Sequence, residues 1–167
     1  MTAVVTLEKQ VWEWLNQIPD PEIPVISVVE LGVVRKIQLI DEKKIEVTIT
    51  PTYSGCPAMN IFEEDIIKKL KDNGFENVVL KTVLSPAWTT DWISEEVLNK
   101  LSDYGIAPPI KGSEDKGVLF KSGPKVVPCP KCSSSSTTII SQFGSTACKA
   151  LYSCDKCHEP FEYFKCI

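Results

Sequence analysis

Histidine is nearly absent, since His158 is the only one in 167 residues. A diiron carboxylate centre takes its ligands from several Glu and His on facing helices, so this chain is not expected to hold one. No glycine-rich dinucleotide fingerprint is present, which argues against hydride chemistry on a Rossmann-type cofactor. No apolar run approaches the roughly 18 residues of a membrane span. The opening segment, Met1 to Trp14, carries Glu8 and Lys9 in an amphipathic pattern and lacks the unbroken apolar stretch of a secretory signal. The expected location is therefore the cytoplasm, with no membrane partner.

Basic charge is also scarce where a nucleic-acid binder would need it. Residues 1–105 hold 10 Lys plus Arg against 17 Asp plus Glu, a net of minus 7, while residues 125–167 hold 5 against 3, a net of plus 2. Phosphate binding needs clustered cations, so nucleic acid is not an expected partner. Cysteine is lacking from most of the chain. One, Cys56, lies in the first 128 residues, and six lie between Cys129 and Cys166. In a reducing compartment such a cluster reads as metal ligation before disulfides. Hydrophobic residues at 43% and charged residues at 24% leave ample material for a core.

Leu7, Val11, Trp14, Leu15 and Ile18 recur at helical spacing, predicting a helix from about Thr6 to Gln17 that stops before Pro19. Pro21 and Pro24 make residues 20–25 an extended loop. Val33 to Ile40 and Ile45 to Thr50 read as a hairpin, the second strand alternating Ile45, Val47 and Ile49 against Glu46, Thr48 and Thr50. A loop through Gly55 and Cys56 then opens a helix with Ile61, Phe62, Ile66 and Leu70 on its apolar face. Pro57 suits the first helical position, which puts Cys56 at the N-cap. Asn73-Gly74 ends that helix, and Val78 to Leu84 is a third strand. A last helix buries Ile93, Val97, Leu98 and Leu101 and stops at Gly105. The predicted fold is α+β or α/β: about three helices on a small mixed sheet over residues 1–106, a linker at 107–124, and a small cysteine-rich ribbon at 125–167.

The strongest motif is the pair Cys129-Pro-Lys-Cys132 and Cys154-Asp-Lys-Cys157, separated by 21 residues. Two residues between cysteines let both thiolates reach one ion from a tight turn, and two such turns complete a tetrahedral site. About forty residues bury little core, so one structural zinc per chain would supply most of this unit's folding energy. Four thiolates satisfy iron as well as zinc, and the ligand type does not separate them. Cys148 and Cys166 are possible substitutes for a knuckle thiol, their plainer role being that of small buried hydrophobes. His158 is expected in solvent.

Cys56 admits two readings. A helix N-terminus favours a thiolate and metal affinity, and Gly55 allows close approach of a ligand; equally, a buried cysteine before Pro57 is only a helix start. Asp20 and Glu22, held between prolines, could bring carboxylates to the same edge or form a solvated acidic loop. Trp88 and Trp92 either line a partner groove or cap the core, the commoner fate.

Asp20-Pro-Glu-Ile-Pro24, Glu30-Leu-Gly32, the Thr48 to Pro57 stretch and Ser85-Pro-Ala-Trp-Thr89 together resemble the small α/β family that assists iron-sulfur cluster assembly and transfer. With Gly144-Ser-Thr-Ala-Cys-Lys-Ala-Leu151 and Phe161-Glu-Tyr-Phe-Lys-Cys-Ile167, the chain is similar to the family of D components of bacterial phenylacetyl-CoA ring epoxidase systems. The resemblance implies an accessory or maturation factor in aerobic phenylacetate breakdown, without catalysis of its own. It implies Cys56 as the thiol handling transient iron or an iron-sulfur cluster, Asp20 and Glu22 as the acidic loop beside it, and Cys129, Cys132, Cys154 and Cys157 as zinc ligands. The implied partners are the other epoxidase subunits, among them its iron-sulfur reductase or diiron oxygenase subunit. Two further classes stay open: a structural subunit of the oxygenase, and, most distantly, a zinc-ribbon nucleic-acid binder. Whether the chain is a monomer or a homodimer is not decided by these residues.

Overall fold

The computed structural model describes residues 2–53, 55–110 and 126–165. The chain divides into two compact units, Met1–Trp88 and Thr89–Ile167. The first unit begins with helix α1 (Thr2–Leu15), followed by the hairpin β1 (Val34–Leu39) and β2 (Lys44–Ile49), helix α2 (Ala58–Asp72) and β3 (Asn77–Thr82). The three strands are ordered β1-β2-β3, with β1 antiparallel and β3 parallel to β2. The alternation read from β2 holds as far as Ile49: Ile45, Val47 and Ile49 are fully buried while Glu46 and Thr48 are half-buried, but Thr50, expected on the outer face, follows the strand and is buried. Phe62, Ile66 and Leu70 of α2 and Val11 and Leu15 of α1 are buried with them, whereas Ile61, expected on the same apolar face of α2, is exposed, one position before Phe62 and so turned off the buried stripe. Helix α2 ends at Asn73, and Gly74 takes a φ of 101°, a left-handed backbone that glycine adopts at little cost.

The second unit opens with a 3-10 turn (Thr90–Trp92) and helix α3 (Glu95–Tyr104). Ser94 caps α3 by accepting the Val97 N–H, and Gly105, at φ 95°, closes it. Ile93 is buried but precedes α3, and Leu98 is half-buried. Directly after Gly105 comes β4 (Ile106–Ala107), which pairs in parallel with β7 (Pro160–Phe164). The sheet continues through β6 (Lys149–Cys154) to β5 (Thr137–Ser141) in the order β4-β7-β6-β5. The expected linker at 107–124 therefore starts with a strand residue, and α3 clusters with the ribbon rather than with the first unit. The remainder of that linker, residues 111–124, lies outside the described residues. One ribbon core runs through Ala107, Val127, Ala150, Tyr152, Phe161 and Tyr163 and meets Cys129 and Cys154. Among the described residues no helix is long and apolar enough to cross a membrane.

Candidate functional site

The two C-x-x-C segments adopt the same turn. The Ser133 N–H donates to the Cys129 carbonyl and the His158 N–H to the Cys154 carbonyl, both at 2.9 Å. The Cys129 N–H reaches the Ser134 carbonyl and the Cys154 N–H the Glu159 carbonyl, both at 3.0 Å. Each turn requires positive φ just after its second cysteine: 57° at Ser133 and 62° at His158. His158 is thus exposed and fills a left-handed position that histidine occupies more readily than most residues. An ion pair between Lys131 and Glu159 ties one turn to the other.

These turns bring the four cysteine sulfurs within 4.8 Å of one another. Cys129 Sγ lies 3.7 Å from Cys157 Sγ, and Cys132 Sγ 3.5 Å from Cys154 Sγ. A disulfide needs about 2 Å. A tetrahedral ion with sulfurs at about 2.3 Å sets them about 3.8 Å apart, so the spacing fits one ion. A multi-iron cluster needs its thiolates spread around a core of bridging sulfides, which this group does not offer.

The proton affinities lead to the same conclusion. Cys154 is drawn down to about 6, chiefly by the Cys157 N–H aimed at its sulfur at 3.4 Å, with burial opposing. The Glu159 N–H pulls Cys157 down, but burial and the sulfurs of Cys154, Cys132 and Cys129 prevail and push it to about 12. Four adjacent thiolates repel one another and need a dication to coexist. Cys148 is outside this group. Its buried sulfur sits 3.0 Å from Thr146 Oγ1 near the start of β6. Cys166 lies outside the described residues.

The far side of the ribbon holds a feature the sequence reading missed. Lys149 is buried, and its Nζ meets Glu162 Oε2 at 3.0 Å. Glu162 Oε1 accepts the Ser145 N–H at 2.6 Å. Burial alone would raise the Glu162 pKa, but Ser145 and the Lys149 ammonium hold it below its ordinary value. A Cβ at Gly144 would stand 2.7 Å from Glu162 Oε1, which explains a glycine there.

In the first unit, three connections meet at one edge of the sheet. Val34 opposes Ile49, and Ile49 is in register with Thr82, so the start of β1 and the ends of β2 and β3 lie side by side. The Thr50 N–H donates to Val33 at 2.8 Å, the Val83 N–H to Ile49 at 2.9 Å, and Trp88 Nε1 to the Leu31 carbonyl at 2.9 Å. Residues 16–33, 50–57 and 83–88 are therefore fastened together at the carboxyl edge of the parallel pair, where open α/β sheets place their ligands. The four motif segments read from the sequence, residues 20–24, 30–32, 48–57 and 85–89, fall within these connections or run directly into them.

Cys56 is half-buried in the middle connection. Pro57, with helical φ −66° and ψ −25°, is the N-cap of α2, which shifts Cys56 one residue ahead of the expected cap. Its carbonyl still accepts the Met59 N–H at 3.2 Å. Among the described residues no side chain caps α2, and its first turn has no acidic residue. Gly55, at φ 82°, leaves open space where a Cβ would stand. Asp20 is not a solvated carboxylate. It is 5% exposed, and its Oδ1 accepts the Glu22 and Ile23 N–H groups at 2.7 Å each. Glu22 is half-buried. Ser27 and Glu30 cap the next turn reciprocally, the Ser27 N–H donating to Glu30 Oε2 and the Glu30 N–H to Ser27 Oγ. Trp88 is buried, as the core reading of that residue expects, whereas Trp92 is half-buried. Thr50 and Thr52 are buried polar residues; patterning put Thr50 on the outer face of the strand and gave no signal for Thr52, which reads as an ordinary turn residue. Among the described residues Thr50 Oγ1 has no hydrogen-bond partner.

The comparisons with known proteins follow this division. Residues 8–79 match the family described as "Iron-sulfur cluster assembly protein", and residues 114–165 the "PaaD zinc beta ribbon domain". An Escherichia coli (strain K12) protein, named as the D component of a "Putative 1,2-phenylacetyl-CoA epoxidase", is 48% identical over 158 residues, 95% of this chain and 92% of its own length. A Porphyromonas gingivalis (strain ATCC BAA-308 / W83) "Fe-S protein maturation auxiliary factor" is 32% identical over 95 residues, 56% of this chain and 90% of its own. The crystal structure of a domain of unknown function, DUF59, from Bacillus anthracis shares the fold, with a TM-score of 0.54 at 24% identity over 57% of this chain and 92% of that one. The chain belongs to the PaaD family, the D components of phenylacetyl-CoA epoxidase systems, with an iron-sulfur-assembly-type domain ahead of a metal-binding ribbon.

Proposed function

We propose that this chain is a non-catalytic accessory factor that supports the metallocentres of the phenylacetyl-CoA epoxidase system by receiving and passing on iron or an iron-sulfur cluster at Cys56. The observation that carries the reading is the meeting of three connections at the carboxyl edge of the sheet, one of which carries the half-buried Cys56 between an open glycine and a helix start that no described side chain caps. The name of the Porphyromonas gingivalis relative, a maturation auxiliary factor, supports it for the first unit. In the ribbon, Cys129, Cys132, Cys154 and Cys157 hold one zinc, whose chemistry there is structural, because four protein sulfurs leave no open position for substrate. Asp20 shapes the connection beside Cys56, and Glu22 flanks it.

The test is elemental analysis with an absorption spectrum on protein purified without oxygen, native against Cys56→Ser. One zinc per chain in both, with iron that disappears in the variant, is the expected result. Zinc alone in both samples sinks the cargo role. The Escherichia coli protein is named as a subunit of the epoxidase, which favours a second reading, a permanent structural component of the oxygenase. Stoichiometric recovery of the chain in the purified complex would support that reading over a transient factor.

A further inference from the structure

At the Cys56 edge, carboxylates outnumber cations. Residues 18–35, 50–65 and 81–88 hold six carboxylates, Asp20, Glu22, Glu30, Glu63, Glu64 and Asp65, against two cations, Arg35 and Lys81, and of the six only Asp20 is buried. The opposite edge, residues 39–44 and 68–77, holds five lysines against four carboxylates, Asp41, Glu42, Asp72 and Glu76. The acidic edge also displays apolar surface. Leu84 is 67% exposed and Ile61, near the start of α2, 46%. Leu84 is shown on an anchored loop: the Val83 N–H bonds to Ile49 on one side of it, and the Trp88 indole bonds to Leu31 on the other. Between them Ser85, Pro86 and Ala87 are exposed as well. A leucine exposed singly needs no explanation. Here the loop is fixed at both ends, so docking on it would cost little ordering entropy.

Resting on the reading of Cys56 as the cargo thiol, we infer that Leu84, with Ile61, docks the protein that exchanges cargo with Cys56, and that this partner presents an apolar socket rimmed by Lys and Arg. Charge complementarity selects the partner. A basic rim is drawn to the acidic edge, which speeds encounter and fixes orientation, whereas nucleic acid or an anionic membrane is repelled. Leu84 then supplies the water-excluding contact that brings the two metal-handling groups together.

The experiment measures the affinity of the full chain for each of the other epoxidase subunits, purified separately, at low and moderate salt. Native chain, Leu84→Asp, Leu84→Met and Ile61→Asp are compared, with folding checked by circular dichroism. The expected result is binding to at least one subunit that weakens as salt rises. Leu84→Asp should lose roughly ten- to a hundredfold in affinity and Leu84→Met less than about threefold. Ile61→Asp, on α2 instead of the loop, should also weaken binding and repeats the test if Leu84→Asp misfolds. Native-like binding by both aspartate variants, binding insensitive to salt, or no binding of the native chain to any subunit would each overturn the inference. Iron content of native against Cys56→Ser reads the cargo role separately, so either conclusion can fail alone.

Discussion

Asp20 offers the sharpest separation between a carboxylate that shapes a loop and one that touches cargo. Its Oδ1 accepts two backbone N–H groups at 2.7 Å, and the residue is 5% exposed. Hydrogen bonds to a charged acceptor contribute about 1.5–3 kcal/mol each, and a buried donor left unpaired costs about 1–3 kcal/mol. Only the Ile23 bond is fully buried; the Glu22 N–H can turn partly to water. Asp20→Ala should therefore destabilise the first unit by about 2–4 kcal/mol. Asp20→Asn keeps a carbonyl oxygen with two lone pairs and should cost only about 1 kcal/mol. Urea unfolding followed by tryptophan fluorescence measures both, and iron content after anaerobic purification shows whether the edge still works. If the carboxylate only shapes the loop, Asp20→Asn folds and carries iron nearly as the native chain does. A folded Asp20→Asn chain without iron would refute that reasoning and make the charge itself part of the cargo site. An Asp20→Ala cost below about 0.5 kcal/mol would refute the structural argument from the other side.

Metal in the ribbon should be lost as pH falls. The Cys157 thiol, pushed up to about 12 where no ion compensates, must give up its proton to bind, so protons compete with the ion. Chelator competition at pH 7.5 and 5.5, followed by zinc release, should show easier removal at the lower pH. In the buried pair, Glu162→Ala leaves the Lys149 ammonium uncompensated and the Ser145 N–H without its acceptor, whereas Lys149→Met leaves a carboxylate with 24% side-chain exposure. Discounted for that exposure, Glu162→Ala should cost about 2–4 kcal/mol and Lys149→Met about half as much, read from denaturant-induced zinc release. Because the folded Glu162 pKa lies below its ordinary 4.5, this stabilisation is complete above that pH and fades as pH falls through the lower folded value. Trp88→Phe removes the donor to the buried Leu31 carbonyl and should cost about 1–3 kcal/mol, with faster amide exchange in residues 27–33.

What was legible in the sequence was local. The alternation in β2, the apolar face of α2, Gly105 as the stop of α3 and the paired C-x-x-C turns each follow from residues a few positions apart. What was not legible depended on distant partners. Ala107 sits in a Pro-rich stretch that reads as linker, yet it joins a sheet through Tyr163, a pairing no short window contains. Lys149 reads as a surface cation until Glu162 on β7 makes its burial affordable. Asp20 reads as a solvated acid because nothing in its own segment says that the chain folds back to bury it. His158 reads as a solvent-exposed residue and is one, but the left-handed backbone it fills comes from a turn that folds back on Cys154, which its own position in the sequence does not announce.

The sulfurs of this chain stand in two unlike settings, and the difference bears on what each can do with metal. In the ribbon, four of them lie within 4.8 Å, two turns repeat the same backbone hydrogen bonds, and an ion bound there has every position filled by protein. Releasing it means restoring protons to crowded sulfurs and giving up the fold that the ion supports, so such a site retains its metal. Cys56 has open space beside Gly55 and a helix start that no described side chain caps. A single protein thiolate leaves most positions of an iron or cluster to other donors, and ligand exchange at those positions is the route by which cargo moves between proteins. Retention and transfer make opposite demands on a binding site. On the proposed reading, a closed four-sulfur site and a separate half-buried thiol let one chain keep one metal while passing on another.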